Sequence, residues 1–236
     1  MTADPELRTA YRYAGESEWC RLGAIDKADN VVRLCSDVPH ATLLDIGAGE
    51  GSVIARLAEI GFGESYHAVE VSETAAEVIR SRGIPSFVGC SSFDGEHLPH
   101  GDAAFDLAIL SHVVEHVEYP RKLIYEARRV ARHVFVEVPL ELNLRLPEQF
   151  VADDLGHINT YSPKLIRRLL ESCGLEVLRE MLSHRSRATY TYHGDPLGNL
   201  KFAVKELALR AAPRLATSLW TYHGALLCRP APPPAG

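Results

Sequence analysis

Residues 111–117, Ser-His-Val-Val-Glu-His-Val, place two imidazoles and a carboxylate in one short stretch. If 112–117 is helical, His112, Glu115 and His116 share a face through i, i+3 and i+4 spacing, while Val113, Val114 and Val117 turn to the core. Three readings stay open. His112 or His116, as neutral imidazole near pH 7, can take the proton of a hydroxyl and make its oxygen a better nucleophile. His112, Glu115 and His116 can together bind a divalent ion that orients and acidifies that hydroxyl. Or Glu115-His116 only brace a sheet. The order His-x-x-Glu-His also fits an inverted zinc-protease signature, which the surrounding alternation of strands and helices excludes. His157, in a segment without period, can reach the same pocket or be a loop histidine. Glu137 and Glu141 bracket Pro139, and either can bind a hydroxyl. Asp153-Asp154 read as solvent-facing charge or as hydrogen-bond partners of an acceptor, with solvent preferred.

A second constellation is Asp45-Ile46-Gly47-Ala48-Gly49-Glu50-Gly51. Glycines there permit a sharp turn and let a ligand approach without a Cβ clash. Glu70, 19 residues after Gly51, ends the next apolar run, where a carboxylate can accept two hydrogen bonds from a ribose diol. The dinucleotide pattern Gly-x-Gly-x-x-Gly is not met, because the third glycine comes one residue early and Ser52 takes its place.

The elements that must hold these groups alternate. Residues 16–37 read as a helix with Trp19, Leu22, Ile25, Ala28, Val32 and Leu34 near one face. Strands are expected at Thr42–Ile46, Ser65–Val71, Ser86–Gly89, Phe105–Leu110 and His133–Val138. Helices are expected between them at Gly51–Ile60, Glu73–Ser81 and Tyr119–Val130. Such alternation predicts βαβ units, a parallel sheet and helices on both faces. Residues 139–161 lose the period. Ser162–Ser172 reads as a helix with Ser162 as N-cap and Pro163 at its first position. Leu175–Leu182 and Ser218–Cys228 read as late strands, with a helix at Leu200–Ala211 between them. The expected organisation is one domain over 1–229, with a helical cap over 1–38 and lids at 139–161 and 184–216. A disordered tail is expected over 230–236.

The 236-residue chain is 46% apolar and 24% charged, which suits one soluble globular domain. With no apolar run near 18 residues and no basic-then-apolar start, neither a membrane span nor a secretory signal is expected. Five scattered cysteines predict reduced thiols and a cytoplasmic protein. Net charge −6 without a basic block argues against nucleic acid.

Over roughly residues 40–180 these features resemble class I S-adenosylmethionine-dependent methyltransferases. Leu43–Gly51 is similar to their first motif, and Glu70 matches their ribose-binding acid. Cys90–Asp94 lies where that family contacts adenine, although Cys-Ser-Ser-Phe-Asp departs from the usual Gly-Asp. Leu98-Pro99 with Phe105–Leu110, and Gly156-His157-Ile158 before a helix, also look like this family. The resemblance implies an α/β, Rossmann-like fold: a doubly wound, mostly parallel seven-stranded sheet with an antiparallel last strand at Ser218–Cys228. It implies S-adenosylmethionine as cofactor, with Asp45, Gly47, Ala48, Gly49, Gly51, Glu70, Cys90, Ser91, Ser92 and Ser111 as its binding residues. Tyr11, Tyr13, Trp19 and Arg21 are candidates to close over the methionine end, although an amphipathic helix explains Trp19 equally.

Residues 112–116 are similar to the Glu-x-x-Glu-His cluster of ubiquinone-pathway O-methyltransferases, with His112 in place of the first glutamate. That implies a metal set of His112, Glu115 and His116, shifted from magnesium toward softer ions. His112, His116 and His157 are the catalytic candidates. The expected reaction is methyl transfer to a hydroxyl of a small polar acceptor, since a hydroxyl profits from a base. Asn143, Arg145, Glu148, Gln149, Asp153, Asp154, Asn159, Tyr190, Tyr192 and His193 suit a sugar or oligosaccharide, and the chain is similar in character to actinobacterial sugar O-methyltransferases acting on methylated mannose oligosaccharides. The alternatives are a quinone or phenol O-methyltransferase, an aminosugar N-methyltransferase, or a non-catalytic cofactor-binding protein. A homodimer is a further expectation.

Overall fold

The structure, a computed structural model, describes residues 18–149, 156–192 and 194–232. Tyr11, Tyr13, Asp153, Asp154, His193 and residues 233–236 lie outside the described residues. Within them, α1 (Glu18–Cys35) leads into β1 (Thr42–Ile46), α2 (Ser52–Glu59), β2 (Ser65–Glu70) and α3 (Glu73–Ser81). Then come β3 (Phe87–Ser92), β4 (Phe105–Ser111), a 3-10 turn (Val114–His116), α4 (Pro120–Val130) and β5 (Ala131–Pro139). The rest is α5 (Pro163–Ser172), β6 (Leu175–Ser183), α6 (Arg187–Thr191), α7 (Gly198–Ala211), α8 (Pro213–Leu219) and β7 (His223–Pro230).

The seven strands lie in the order β3-β2-β1-β4-β5-β7-β6. β1 to β5 run parallel, and β7 is antiparallel to both β5 and β6. This is the expected α/β seven-stranded sheet. The reversal of strand order beside β1 opens a crevice at the carboxyl ends of β1 and β4, where doubly wound sheets bind ligands. Period-two alternation divides the core. Leu43, Leu107, Ile109 and Phe135 pack with Ala28, Val31 and Leu57 on one face. Leu44, Ala108, Leu110, Val134 and Val136 pack with Leu123, Ala127, Ile166 and Leu170 on the other. Ser162 caps α5 as expected, accepting a hydrogen bond from the Leu165 N–H at 3.3 Å.

Three of the boundaries that differ from expectation bear on the site. β3 continues to Ser92 because it pairs with β2 from Tyr66 to its tip, Glu70 opposite Ser92. The strand expected from Ser218 begins at His223, since Pro213 starts α8 and that helix runs to Leu219. β7 then extends to Pro230, which pairs with Leu175, so the expected tail loses its first residue to the sheet.

Candidate active site

The glycine turn joins β1 to α2. Gly47, Gly49 and Gly51 all have left-handed backbone, φ 69°, 58° and 78°. At Gly47 glycine is required twice over, because a Cβ would also meet Val113 Cγ1 at 2.9 Å. The turn therefore packs directly on the segment that follows β4. Glu70 at the tip of β2 locks it: Oε2 accepts the Gly49 N–H at 2.8 Å, and Oε1 accepts the N–H groups of Val71 at 2.8 Å and Ser72 at 3.1 Å. The Arg82 Nε–H donates to the Glu50 carbonyl at 2.6 Å, holding the far side.

Asp45 lies beneath the turn, 3% exposed, and its Oδ2 is buried without a hydrogen-bond partner. Burial pushes its carboxyl up to about 7, with the Lys27 ammonium opposing and Glu70 and Glu50 adding repulsion. A buried acceptor without a donor suits a ligand with a cationic or N–H group at that point. S-adenosylmethionine has an ammonium, a sulfonium and a ribose diol, so Asp45, the turn and Glu70 fit it. Farther along, Ser91 and Ser92 end β3 beside Glu70. Cys90 is buried, and its carbonyl accepts from Arg80 Nε and Nη2 at 3.2 and 3.0 Å. The Ser92 hydroxyl is taken by Glu73.

The 112–117 stretch is not an α-helix. Only Val114–His116 forms a 3-10 turn, and His112 stands before it with φ 58°. Left-handed backbone at a β-carbon residue costs about 1 kcal/mol or more and must be held from outside. Here the His112 N–H donates to the Glu137 carbonyl at 2.8 Å. The expected His112–Glu115–His116 face is thereby divided into two groups of ligand-type side chains, each with ligating atoms within 4.8 Å: His112, Glu137 and His223, and Glu115, His116 and His157. Glu115 lies between them, its Oε1 3.2 Å from His112 Nδ1. Val114 is buried, and Val113 and Val117 pack against the core as expected.

In the first group Ser111 and Glu137 are paired across β4 and β5, and His223 lies opposite Pro139 and Ser183. Glu137 is fully buried. Its Oε1 accepts from Asn30 Nδ2 at 2.6 Å and its Oε2 from the Ser111 hydroxyl at 2.9 Å. Ser111, expected at the cofactor, is thus turned to this carboxylate. His112 Nε2 is 4.0 Å from Glu137 Oε2, His223 Nδ1 is 3.9 Å from Glu137 Oε1, and the two rings meet edge to face at 4.7 Å. Burial pushes Glu137 up to about 7, against Lys27 and the Ser111 and Asn30 donors. Burial drives both imidazoles well below their usual range, reinforced by Lys27 at His112 and by His112 itself at His223. A carboxyl that titrates near neutrality can take up or release a proton at physiological pH, and the neutral imidazoles beside it offer ring nitrogens as hydrogen-bond partners.

In the second group Glu115 is fully buried, and neither carboxylate oxygen has a hydrogen-bond partner. The His116 and His157 rings stand 4.8 Å apart. His157 Nδ1 lies 2.8 Å from Glu141 Oε2, and His116 Nδ1 lies 3.1 Å from the Gly156 carbonyl. His157 therefore joins His116, and Glu141 serves it while Glu137 serves His112.

Asn30, Lys27 and His223 were not singled out from the sequence. Asn30 was findable as a polar residue on an otherwise apolar helix face. His223 was hidden by reading 218–228 as one strand. Trp19 packs under Arg185, with guanidinium carbon 5.1 Å from the ring, and against Tyr192 at 5.9 Å, outside both core clusters. The Arg21 guanidinium pairs with Glu18 at 2.5 Å on the exposed side of α1.

The methyltransferase domain family matches residues 18–180. An uncharacterised protein of Methanocaldococcus jannaschii is 31% identical over 122 residues, 51% of this chain and 55% of that protein, so the match spans about half of that relative's length. The [4+2]-cyclase SpnF is similar in structure with TM-score 0.65 at 20% identity, over 94% of this chain and 85% of that one. A candidate sarcosine dimethylglycine methyltransferase of Galdieria sulphuraria gives 0.62 at 18%, over 89% and 84%. An S-adenosylmethionine-dependent methyltransferase of Aquifex aeolicus gives 0.55 at 13%, over 90% and 98%. At such identities the structural likenesses speak for the fold, and the family match speaks for the lineage: this chain belongs to the methyltransferase domain family and has the class I S-adenosylmethionine-dependent methyltransferase fold.

Proposed function

We propose that the chain transfers the methyl group of S-adenosylmethionine to a hydroxyl oxygen of a small polar acceptor. The observation that carries the oxygen reading is the pair of gaps of 4.0 and 3.9 Å between Glu137 and the rings of His112 and His223. Each is too wide for a direct hydrogen bond, and one hydroxyl oxygen placed off the line between the atoms comes within hydrogen-bond reach of both. His112 Nε2, buried and without a partner, is the acceptor such a hydroxyl needs. Bound in the cradle of Asp45, Gly47, Ala48, Gly49, Gly51 and Glu70, the cofactor supplies the electrophilic methyl group. As the oxygen bonds to the methyl carbon and the carbon–sulfur bond breaks, leaving S-adenosylhomocysteine, the hydroxyl proton goes to the Glu137–His112 pair, and Asn30 and Ser111 fix the Glu137 carboxylate. A carbohydrate acceptor is supported by Asn143, Arg145, Gln149, Thr160 and Thr221, which share the lining of a cavity of about 540 Å³ beside His157 with the apolar Leu146, Pro147 and Ile158.

Titration calorimetry with S-adenosylhomocysteine tests the cofactor reading; a Kd weaker than about 1 mM overturns it. Transfer of a labelled methyl group to panels of sugars, phenols and amines tests the acceptor atom, and exclusive labelling of amines overturns oxygen.

A second reading concerns metal. The fully buried carboxylate of Glu115, with His116 and His157, is a donor set suited to a divalent cation. A cation there would neutralise Glu115 and polarise the acceptor. Undiminished transfer after exhaustive chelation would exclude it.

A further inference from the structure

Helix α7 is apolar on two faces, and the fold uses only one. Its inner face packs Ala208 and Leu209 on the core and sets the Phe202 ring 5.2 Å from that of His184. On its outer face Leu200, Val204 and Leu207 are 59%, 45% and 69% exposed, with Ala203 and Ala211 exposed among them. At 3.6 residues per turn these five side chains fall within about 100° of arc, one apolar stripe along the helix. The next helix, α8, adds Leu215, 59% exposed. The Leu144 N–H donates to the Ser218 carbonyl of α8 at 2.9 Å, which brings Leu144, 80% exposed, to the same helix. Single exposed leucines are ordinary, but a stripe on a helix that already buries its other face marks a contact surface.

Charge selects the partner. Gly198–Leu219 holds Lys201, Lys205, Arg210 and Arg214 against Glu206 alone, so it carries +3 and the rest of this −6 chain carries −9. Lys205 turns inward and donates to the Thr221 carbonyl at 2.6 Å. By the same helical spacing Lys201 and Arg210 flank the stripe on opposite sides, and Arg214 is exposed beyond its end. Lys201 pairs with Asp195 at 2.5 Å and Arg210 with Glu206 at 2.6 Å, the two cations being 55% and 76% exposed. Exposed pairs of this kind are weak enough to be shared with an incoming anion. A second copy of this face would set cations against cations. An anionic bilayer offers apolar depth to the stripe and phosphate to its flanks. Among the described residues no helix is long and apolar enough to cross a membrane, so α7 would lie on the surface.

We propose that the outer face of α7, with Leu215 and Leu144, docks on an anionic phospholipid surface through the apolar stripe and its flanking Lys201, Arg210 and Arg214. The docking face adjoins the 540 Å³ cavity. The Asn143 amide donates to the Thr221 hydroxyl at 3.3 Å, and Thr221, Leu146 and Ile158 line that cavity with His157. An acceptor with an apolar anchor would then reach the cavity from the lipid surface. That consequence rests on the hydroxyl-methylation reading, whereas docking itself needs no cofactor.

The full chain is sedimented with vesicles of phosphatidylglycerol and phosphatidylcholine in equal parts, and with vesicles of phosphatidylcholine alone. We expect binding to the mixed vesicles that falls with added salt and is about tenfold or more weaker on phosphatidylcholine. Leu200→Ser combined with Leu207→Ser, both at exposed positions, should weaken binding to mixed vesicles about tenfold or more. Arg210→Gln combined with Arg214→Gln should weaken it and flatten the salt dependence. Should the leucine variant lose its native circular dichroism, the arginine variant decides. Absence of binding to mixed vesicles, or native binding by both variants, overturns the proposal. A concentration-dependent dimer in analytical ultracentrifugation, lost in the leucine variant and accompanied by no vesicle binding, overturns it in favour of a second copy. Failure of S-adenosylhomocysteine to bind overturns the methyl-donor reading, while the vesicle result still decides docking.

Discussion

Glu70→Gln separates the two duties assigned to one carboxylate, holding the turn and receiving the cofactor. The native carboxylate accepts three backbone N–H groups, one on Oε2 and two on Oε1, at 2.8 to 3.1 Å. Glutamine keeps the shape but has one acceptor oxygen, so its NH₂ must face an N–H donor in either rotamer. The better rotamer keeps Val71 and Ser72 and loses Gly49. A lost bond to a charged, buried acceptor is worth about 1.5–3 kcal/mol. The two that remain become neutral bonds of roughly half the strength. Against this, Glu70 repels the buried Asp45, and neutralising it relieves that strain. The net expectation is a loss of about 2 kcal/mol, within the 5–15 kcal/mol of an ordinary domain, so the variant folds. Urea unfolding with unchanged slope reads the stability. Calorimetry on the same preparation should show S-adenosylhomocysteine binding weakened about tenfold or more. A stability loss under about 0.5 kcal/mol together with native affinity would refute the argument, because a surface substitution away from any special feature does no more.

Other changes probe neighbouring parts. Gly47→Ala should cost about 2–4 kcal/mol by chemical denaturation, from left-handed backbone at φ 69° and the 2.9 Å approach to Val113. Asp45 has a folded-state carboxyl raised to about 7, so the free protein keeps a proton that the unfolded chain has lost. Its contribution to stability therefore falls as pH rises from about 4 to about 7 and is level above. Ligand affinity should move oppositely, rising through pH 7 as the carboxylate forms, and Asp45→Asn should flatten the affinity profile and remove part of the stability slope, the rest belonging to Glu137. Glu137→Gln should lower kcat by about a hundredfold while S-adenosylhomocysteine affinity stays within about threefold; an unaltered kcat would remove Glu137 from the proton path.

The glycine turn and its Glu70 brace were legible in the sequence because they are local. Seven consecutive residues make the turn, the strand that carries it is five residues long, and Glu70 ends the next strand by the same period-two logic. The acceptor side was legible only in part, because a crossover and two sheet reversals assemble it. Glu137 and His112 become neighbours because β4 and β5 pair in register, which alternation predicts. His223 joins them only because β7 inserts between β5 and β6 and runs backwards, a placement no local period encodes. Asn30 reaches Glu137 across 107 residues from α1, and α8 displaced the start of the last strand. The helical expectation for 112–117 failed for a related reason: Gly47 leaves room for Val113, and the Glu137 carbonyl captures the His112 N–H, so tertiary contacts fix a backbone that local propensity would not choose. That strained residue is also the one whose buried Nε2 has no hydrogen-bond partner and is proposed to receive the acceptor hydroxyl. Relaxing φ at residue 112 should thus harm catalysis more than folding. His112→Gly, which removes both strain and imidazole, is expected to be more stable than His112→Ala while showing the same loss of kcat. Equal stability losses in the two would mean that the left-handed backbone carries no strain and that position 112 was set by the ring alone.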